Sequence, residues 1–276
     1  MPADPRTSVI IVNWNGRDLT LECLASLEKA GPMEVIVVDN GSKDGSVDEI
    51  RRRHPAVTVL PMGTNLRFAG GNNAGIRHAL ASGAEEIMLL NNDTVVDPDF
   101  LRAMSSTLRS SPEIGAVAPF IFYHDRPDLL WYAGGEISYW TGTMRHAGIR
   151  RTASGLAMRP HDTDYATGCC LLARREALER VGLLDESYFM YAEDADWCAR
   201  ARAAGYRIVV EPRARVWHKV SVSAGGHLSR YKLTHKFRSN FRFFARHAAW
   251  YHWLTFPWMN LVVNAAAAVR YLSFRR

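Results

Sequence analysis

Ser8-Val9-Ile10-Ile11-Val12-Asn13-Trp14-Asn15-Gly16 is an apolar, β-branched run that stops abruptly in amides and a glycine. A run this short, bounded by turn residues, predicts a buried strand rather than a helix. The pattern returns along the first hundred residues, predicting strands over Ser8 to Asn13, Glu34 to Asp39, Val57 to Pro61 and Glu86 to Asn91. Helical stretches lie between them. Ser46 with Glu49 predicts a capping box, and Asp97-Pro98 predicts an N-cap followed by proline at the first helical position. The order β-α-β-α-β-α-β-α predicts an α/β fold, a Rossmann-like, mostly parallel sheet flanked by helices on both faces.

In such sheets ligands bind beyond the carboxyl ends of the strands, where helix N-termini direct partial positive charge into a crevice. The first strand runs into Asn13-Trp14-Asn15-Gly16, the second into Asp39-Asn40-Gly41-Ser42 and the fourth into Asn91-Asn92-Asp93-Thr94. Three polar ends on one rim define a candidate site. From Ile114 to about Arg175 the simple alternation gives way to strand-like pieces rich in aromatics, with Gly134-Gly135 among them. A helix is expected from about Arg175 and another over roughly Asp194 to Ala204, with late strands over Arg207 to Val210 and Ala214 to Trp217.

The 276 residues, 47% of them hydrophobic, suffice for one main globular domain. A formal charge of +6 is mild for this length, but its distribution is uneven. From Lys232 to the end there is no Asp or Glu, whereas Lys232, Lys236, Arg238, Arg242, Arg246, Arg270, Arg275 and Arg276 are basic. Cys23, Cys169, Cys170 and Cys198 have neither metal-ligand spacing nor the density of a disulfide framework, which favours a reducing compartment. The first residues lack the basic-then-apolar order of a signal peptide, so the catalytic body is expected in the cytoplasm.

Four stretches carry chemistry. Asp93 follows the apolar Ile87-Met88-Leu89-Leu90, where a carboxylate either caps a helix or joins substrate phosphates around a hard divalent cation. In Tyr191-Ala192-Glu193-Asp194-Ala195-Asp196-Trp197 three acids open a helix. They complement its dipole, and behind the aromatic Tyr188-Phe189-Met190-Tyr191 one of them is also placed to be a general base. Trp217-His218 puts a histidine at the end of a late strand, as a structural hydrogen-bonding residue or as a ligand. Asn65-Leu66-Arg67-Phe68-Ala69-Gly70-Gly71-Asn72-Asn73-Ala74-Gly75 is a glycine-rich loop feeding a helix, suited to phosphate or simply to a tight turn. It has neither the dinucleotide-binding nor the Walker spacing.

In this order and spacing, the motifs resemble the family 2 glycosyltransferases of GT-A fold, especially the bacterial branch of rhamnosyltransferases and galactofuranosyltransferases. The resemblance covers about residues 7 to 226. It implies a catalytic domain over 1–226, with a nucleotide-binding half over about 7–110 and an acceptor and base half over about 111–226. Asn13, Asn15, Asp39, Asn40 and Ser42 would then line the nucleoside pocket, while Asn65, Arg67, Gly71 and Asn73 would lie near the ribose and diphosphate. Asn91, Asn92 and Asp93 stand where the family carries Asp-x-Asp. Asp93 would hold Mg²⁺ or Mn²⁺ together with His218, and asparagine at 91 and 92 loosens that metal site. Asp194 matches the general base, and Glu193 and Asp196 would support it or bind the acceptor. The implied reaction is inverting transfer from a nucleoside-diphosphate sugar, dTDP-rhamnose favoured over a UDP-sugar, to a lipid-linked saccharide in cell-envelope polysaccharide synthesis.

Residues 227–276 form a basic, aromatic, helical extension. After Arg246 no charged side chain occurs until Arg270, but His252, Pro257, Asn260 and Asn264 interrupt the stretch, favouring an interfacial over a spanning segment. With the phenylalanines and basic residues before it, this places the protein peripherally on the inner face of the cell membrane, through residues 231–273. The competing expectation is a helix packed on the catalytic body or on a second copy in a homodimer. No nucleic-acid module accompanies the tail. A nucleotidyltransferase, or a non-catalytic sugar-nucleotide or glycan-binding protein, are the rival functions; the former leaves Asp194 and His218 without a role.

Overall fold

The computed structural model describes residues 6–220, 230–260 and 262. Strand β1 (Thr7–Asn13) is paired in parallel with β2 (Glu34–Asp39) on one side and β4 (Glu86–Asn91) on the other, and β3 (Thr58–Pro61) extends the sheet beyond β2. Val9, Ile10 and Ile11 are fully buried because helices cover both faces, which is why the strand reads as a continuous apolar run. The connecting helices are α1 (Arg17–Leu27), α2 (Ser46–Arg53) and α3 (Arg67–Ala81). Helix α3 lies unusually close to the sheet: a Cβ on Gly75 would collide with Ile10 Cγ2, so the glycine sets the spacing.

The second half reverses direction. After β5 (Thr94–Val96), α4 (Phe100–Arg109), β6 (Ile114–Tyr123), β7 (Leu130–Tyr132), the hairpin β8–β9 (Gly135–Ser138 and Thr143–His146) and β10 (His161–Asp162), strand β11 (Cys170–Arg174) runs antiparallel between β4 and β6. Then come α5 (Arg175–Val181), α6 (Glu193–Ala203) and β12 (Arg207–His218), giving the order β10-β12-β6-β11-β4-β1-β2-β3. The sheet is thus parallel through its first four strands, as expected, and mixed beyond them. The hairpin β8–β9 pairs with itself in a separate two-stranded sheet.

Three local expectations are corrected. Ser46 is the first residue of α2 rather than its cap; the N-cap is Gly45 in the left-handed conformation, and the Ser46 hydroxyl donates to the Asp44 carboxylate. Helix α4 begins at Phe100, two residues after Pro98, and Asp97 instead closes the preceding turn by accepting from the Asp99 N–H at 2.9 Å. The two late strands are one strand, β12, whose register against β6 shifts between Glu211 and Arg215. Pro212, without an N–H for the ladder, lies in that irregular stretch.

At the C-terminal end, α7 (Arg230–His247) leads into a 3₁₀ turn over Trp250–Leu254. Phe243 and Phe244 are fully buried against the catalytic body. Among the described residues no helix is long and apolar enough to cross a membrane. The boundary expected at 226/227, together with Asn264, Arg270, Arg275 and Arg276, lies outside the described residues.

Candidate active site

The rim at the carboxyl ends of β1 and β2 is a closed hydrogen-bond network. Asn13, wholly buried, donates through Nδ2 to Asp39 Oδ1 at 2.9 Å and to Ser42 Oγ at 3.1 Å, while its Oδ1 accepts from Thr20 Oγ1 at 2.8 Å. The second Asp39 oxygen accepts from the Ser42 N–H at 2.9 Å. Asn15, at φ 50°, accepts from the Lys43 N–H through Oδ1 at 2.8 Å and ties the two strand ends together. Asn92 joins the same network by donating to Thr20 Oγ1 at 3.1 Å, so the end of β4 is bound to the end of β1.

Around α3 the predicted residues divide. Asn40 Nδ2 donates to the Arg67 carbonyl at 3.0 Å and Asn65 Oδ1 accepts from the Arg67 N–H at 2.8 Å, so both asparagines shape the start of the helix. Arg67 is exposed, and its guanidinium lies 3.8 Å from the centre of the Phe189 ring. Asn73 is placed differently from the expectation near the diphosphate: it is buried, donating to the Leu184 carbonyl at 2.9 Å and to Glu186 at 2.8 Å and accepting from the Leu184 N–H at 3.0 Å. It pins the 184–186 loop. Gly71 likewise serves packing, since a Cβ there would stand 2.9 Å from Val12 Cγ1.

Asp93 and His218 come together from distant parts of the chain. Strand β5 pairs antiparallel with β12, Thr94 opposite His218, and this brings His218 Nε2 to 3.1 Å from Asp93 Oδ1. Both side chains are nearly buried, and His218 Nδ1 has no hydrogen-bond partner. The Trp131 ring meets His218 edge-on at 4.6 Å and His146 at 4.4 Å. Burial pushes His146 down to about 4, so it is neutral under ordinary conditions.

The acidic segment faces the same rim. Gly168 N–H donates to Asp194 Oδ2 at 2.7 Å, and the next carbonyl, that of Cys169, accepts from Asn91 N at 2.9 Å. Asp194 is therefore connected through two residues to the end of β4 and so to Asp93. Burial raises the Asp194 carboxyl above its ordinary range, against the lowering effect of its backbone hydrogen bonds. Glu193 is also raised, by burial first and the Asp194 charge second, and its Oε2 has no hydrogen-bond partner. Ahead of them Tyr191 and Ala192 both adopt left-handed backbone, at φ 69° and 68°, a costly turn that aims α6.

Asp196 departs from the expected supporting or acceptor-binding role. It is completely buried, accepting from His247 Nε2 and Arg200 Nε, each at 2.8 Å. Burial alone would raise its carboxyl; the hydrogen bonds from His247 and Arg200 overcome that and hold it low. With both oxygens engaged, Asp196 fastens α7 to α6.

Residues 8–182 match the model described as glycosyl transferase family 2. The chain belongs to that family. It is 31% identical over 252 residues to the N-acetylglucosaminyl-diphospho-decaprenol L-rhamnosyltransferase of Mycobacterium tuberculosis, covering 83% of this chain and 80% of the relative. A dTDP-rhamnosyl transferase of Shigella flexneri is 24% identical over 212 residues, covering 76% and 68%. In three dimensions the chain superposes on a mannosyltransferase of Pyrobaculum calidifontis, solved with GDP-Man and Mn²⁺, with a TM-score of 0.62 at 20% identity, covering 99% of this chain and 83% of the other. The fold is the GT-A fold.

The family match ends at Gly182, so the placement of Glu193, Asp194 and His218 in this family 2 transferase rests on the geometry above. Several residues of the site carry no signal in the sequence. Thr20 is one helical position among many, and Gly168 acts through its backbone. Trp131 and His247 become visible only once β7 and α7 are folded against the rim.

Proposed function

We propose that this glycosyltransferase is inverting and moves rhamnose from dTDP-rhamnose to a hydroxyl of a lipid-linked saccharide during cell-envelope polysaccharide synthesis, at the inner face of the cell membrane. The observation that carries the mechanism is the Asp194 carboxylate, raised by burial, oriented by the Gly168 N–H and connected through Cys169 to the strand end that bears Asp93. The sugar and the lipid-linked acceptor are supported by the names of the two bacterial relatives, a decaprenol-linked rhamnosyltransferase and a dTDP-rhamnosyl transferase.

In this reading Asn13, Asn15, Asp39 and Ser42 frame the nucleoside pocket, and Asn40, Asn65 and Arg67 shape the entrance beside the diphosphate. Asp194 takes the proton from the acceptor hydroxyl as that oxygen forms its bond to the anomeric carbon. The bond from that carbon to the diphosphate breaks on the opposite face, so one displacement inverts the centre. A raised carboxyl is a stronger base than an ordinary aspartate once it is ionised, which suits a hydroxyl nucleophile.

The pair of Asp93 and His218, a hard oxygen and an imidazole 3.1 Å apart with a further buried ring nitrogen lacking a partner, fits a divalent cation. Among the described residues no group of three His, Cys, Asp or Glu side chains is placed to hold a metal ion, so diphosphate oxygens and water would fill the remaining positions. Mg²⁺ or Mn²⁺ bound there would supply charge to the departing diphosphate.

The decisive experiment follows nucleoside diphosphate release from dTDP-rhamnose with a saccharide acceptor. Asp194→Asn should lower turnover roughly 10²- to 10⁴-fold while leaving donor affinity nearly intact. Turnover close to wild type under chemistry-limited conditions removes the base assignment. Donor binding without release in the wild-type protein would favour a non-catalytic role.

A further inference from the structure

The surface around the 3₁₀ turn is unlike the rest of the molecule. Trp250, Leu254, Trp258 and Val262 are 78%, 69%, 72% and 59% exposed, and Phe237 on α7 is 69% exposed. These large apolar side chains point outward although the backbone beneath them is firmly held. Thr255 Oγ1 donates to the Trp140 carbonyl at 3.0 Å, Asn260 Nδ2 donates to the Gly142 carbonyl at 2.8 Å, and Phe256 fills the space a side chain on Gly142 would need. Trp253 meets Phe241 on α7 at 5.8 Å, and Phe256 turns inward to buried Phe244 at 5.2 Å. The segment is thus packed on one side and apolar on the other.

Charge identifies what would cover it. Lys236, Arg238 and Arg242 are exposed on α7, and the sequence from Lys232 to the end contains no acid to balance them. Two copies of such a face would bring like charges together. An anionic surface that also accepts tryptophan and leucine at its boundary satisfies both features, and this is the interface of an acidic phospholipid bilayer.

We propose that the outer face of α7 and the following segment is a monotopic docking surface for an anionic bilayer, with Trp250, Leu254 and Trp258 at the acyl boundary and Arg238 among the headgroups. The same helix is bonded on its inner side to the base-bearing region, through Ser239 Oγ donating to the Met190 carbonyl at 2.7 Å and His247 to Asp196. Docking therefore fixes the height of Asp194 relative to the lipid surface. This deepens the membrane placement proposed above by naming the surface and its partner.

The test sediments the full chain with phosphatidylcholine vesicles, with and without phosphatidylglycerol, in the absence of donor and acceptor. The wild-type protein should bind the anionic vesicles, more weakly as salt rises, and bind the neutral ones poorly. Trp250→Ser/Leu254→Ser/Trp258→Ser should lower partitioning onto anionic vesicles by roughly tenfold or more, with melting temperature and transfer to a water-soluble acceptor preserved. Arg238→Gln should weaken anionic binding alone and serves if the triple variant does not fold. A wild-type protein that stays in solution with anionic vesicles at low salt overturns the proposal, as does a dimer that the triple variant dissolves without any vesicle binding. Because no substrate is present, failure to bind vesicles leaves the transferase reading standing, and failure to transfer sugar leaves the docking surface standing.

Discussion

At the scale of single residues the site's chemistry is set by burial. Glu193 and Asp194 are both raised, so the folded protein holds their protons more tightly than the unfolded chain. As pH rises above the ordinary carboxylate range the unfolded chain ionises first, and stability is lost at up to about 1.4 kcal/mol per pH unit for each such group until the folded carboxyl ionises too. Glu193→Gln removes one of the two groups. Its melting temperature should therefore fall less than that of wild type between mildly acidic and mildly alkaline buffer, and equal falls would show that burial does not hold the Glu193 proton. Glu193 is raised by the Asp194 charge and not the reverse, so in this variant the acidic limb of the rate profile, set by Asp194, should stay where it is. Gly75 illustrates a purely steric constraint. Gly75→Ala drives a Cβ into Ile10 and should cost about 1–3 kcal/mol, read as a lower denaturation midpoint with an unchanged denaturant slope.

At the scale of elements, strands were far more legible than their partners. The runs in β1, β2 and β4 are buried on both faces, so their apolar character is continuous and their ends are marked by Asn13, Asp39 and Asn91. That β11 slips antiparallel between β4 and β6 is decided by pairing across some eighty residues of chain, which no local pattern encodes. The caps misled for a related reason: Ser46 and Asp97 have the right chemistry, but Gly45 and the turn before Phe100 satisfy the backbone first. The acids of α6 formed one motif in the sequence and three roles in the structure. Asp194 faces the rim, Glu193 is buried beside it, and Asp196 turns inward to His247, whose part in the site no local pattern marks. Because Asp196 is held low by burial-opposing hydrogen bonds, its contribution to stability is present above the ordinary aspartate range and lost as pH falls through and below it. His247→Ala should cost about 1.5–3 kcal/mol near neutral pH, and the deficit should shrink in acid. A deficit independent of pH would mean that packing of the ring, rather than the bond to Asp196, is what matters.

At the scale of the whole molecule, the two halves of the sheet meet at one polar point. Asp93 belongs to the end of β4 and His218 to the end of β12, and the pairing of β5 with β12 closes the distance between them. A ligand held by both would bind the parallel first half of the sheet and its mixed second half at once, whereas a ligand held by the Asn13 and Asp39 network alone would stabilise only the first. This difference can be read as linkage, since a ligand raises stability according to its concentration over its dissociation constant, and a cation bridging the halves tightens the donor. In the wild-type protein dTDP-rhamnose with Mn²⁺ should raise the melting temperature by more than the sum of the two added separately. His218→Ala should keep the shift given by the donor alone but lose the excess, and chelation of the wild type should reproduce that loss. Additive shifts in the wild type would assign Asp93 and His218 to joining the strands β5 and β12, with the diphosphate held by the residues at the start of α3 instead.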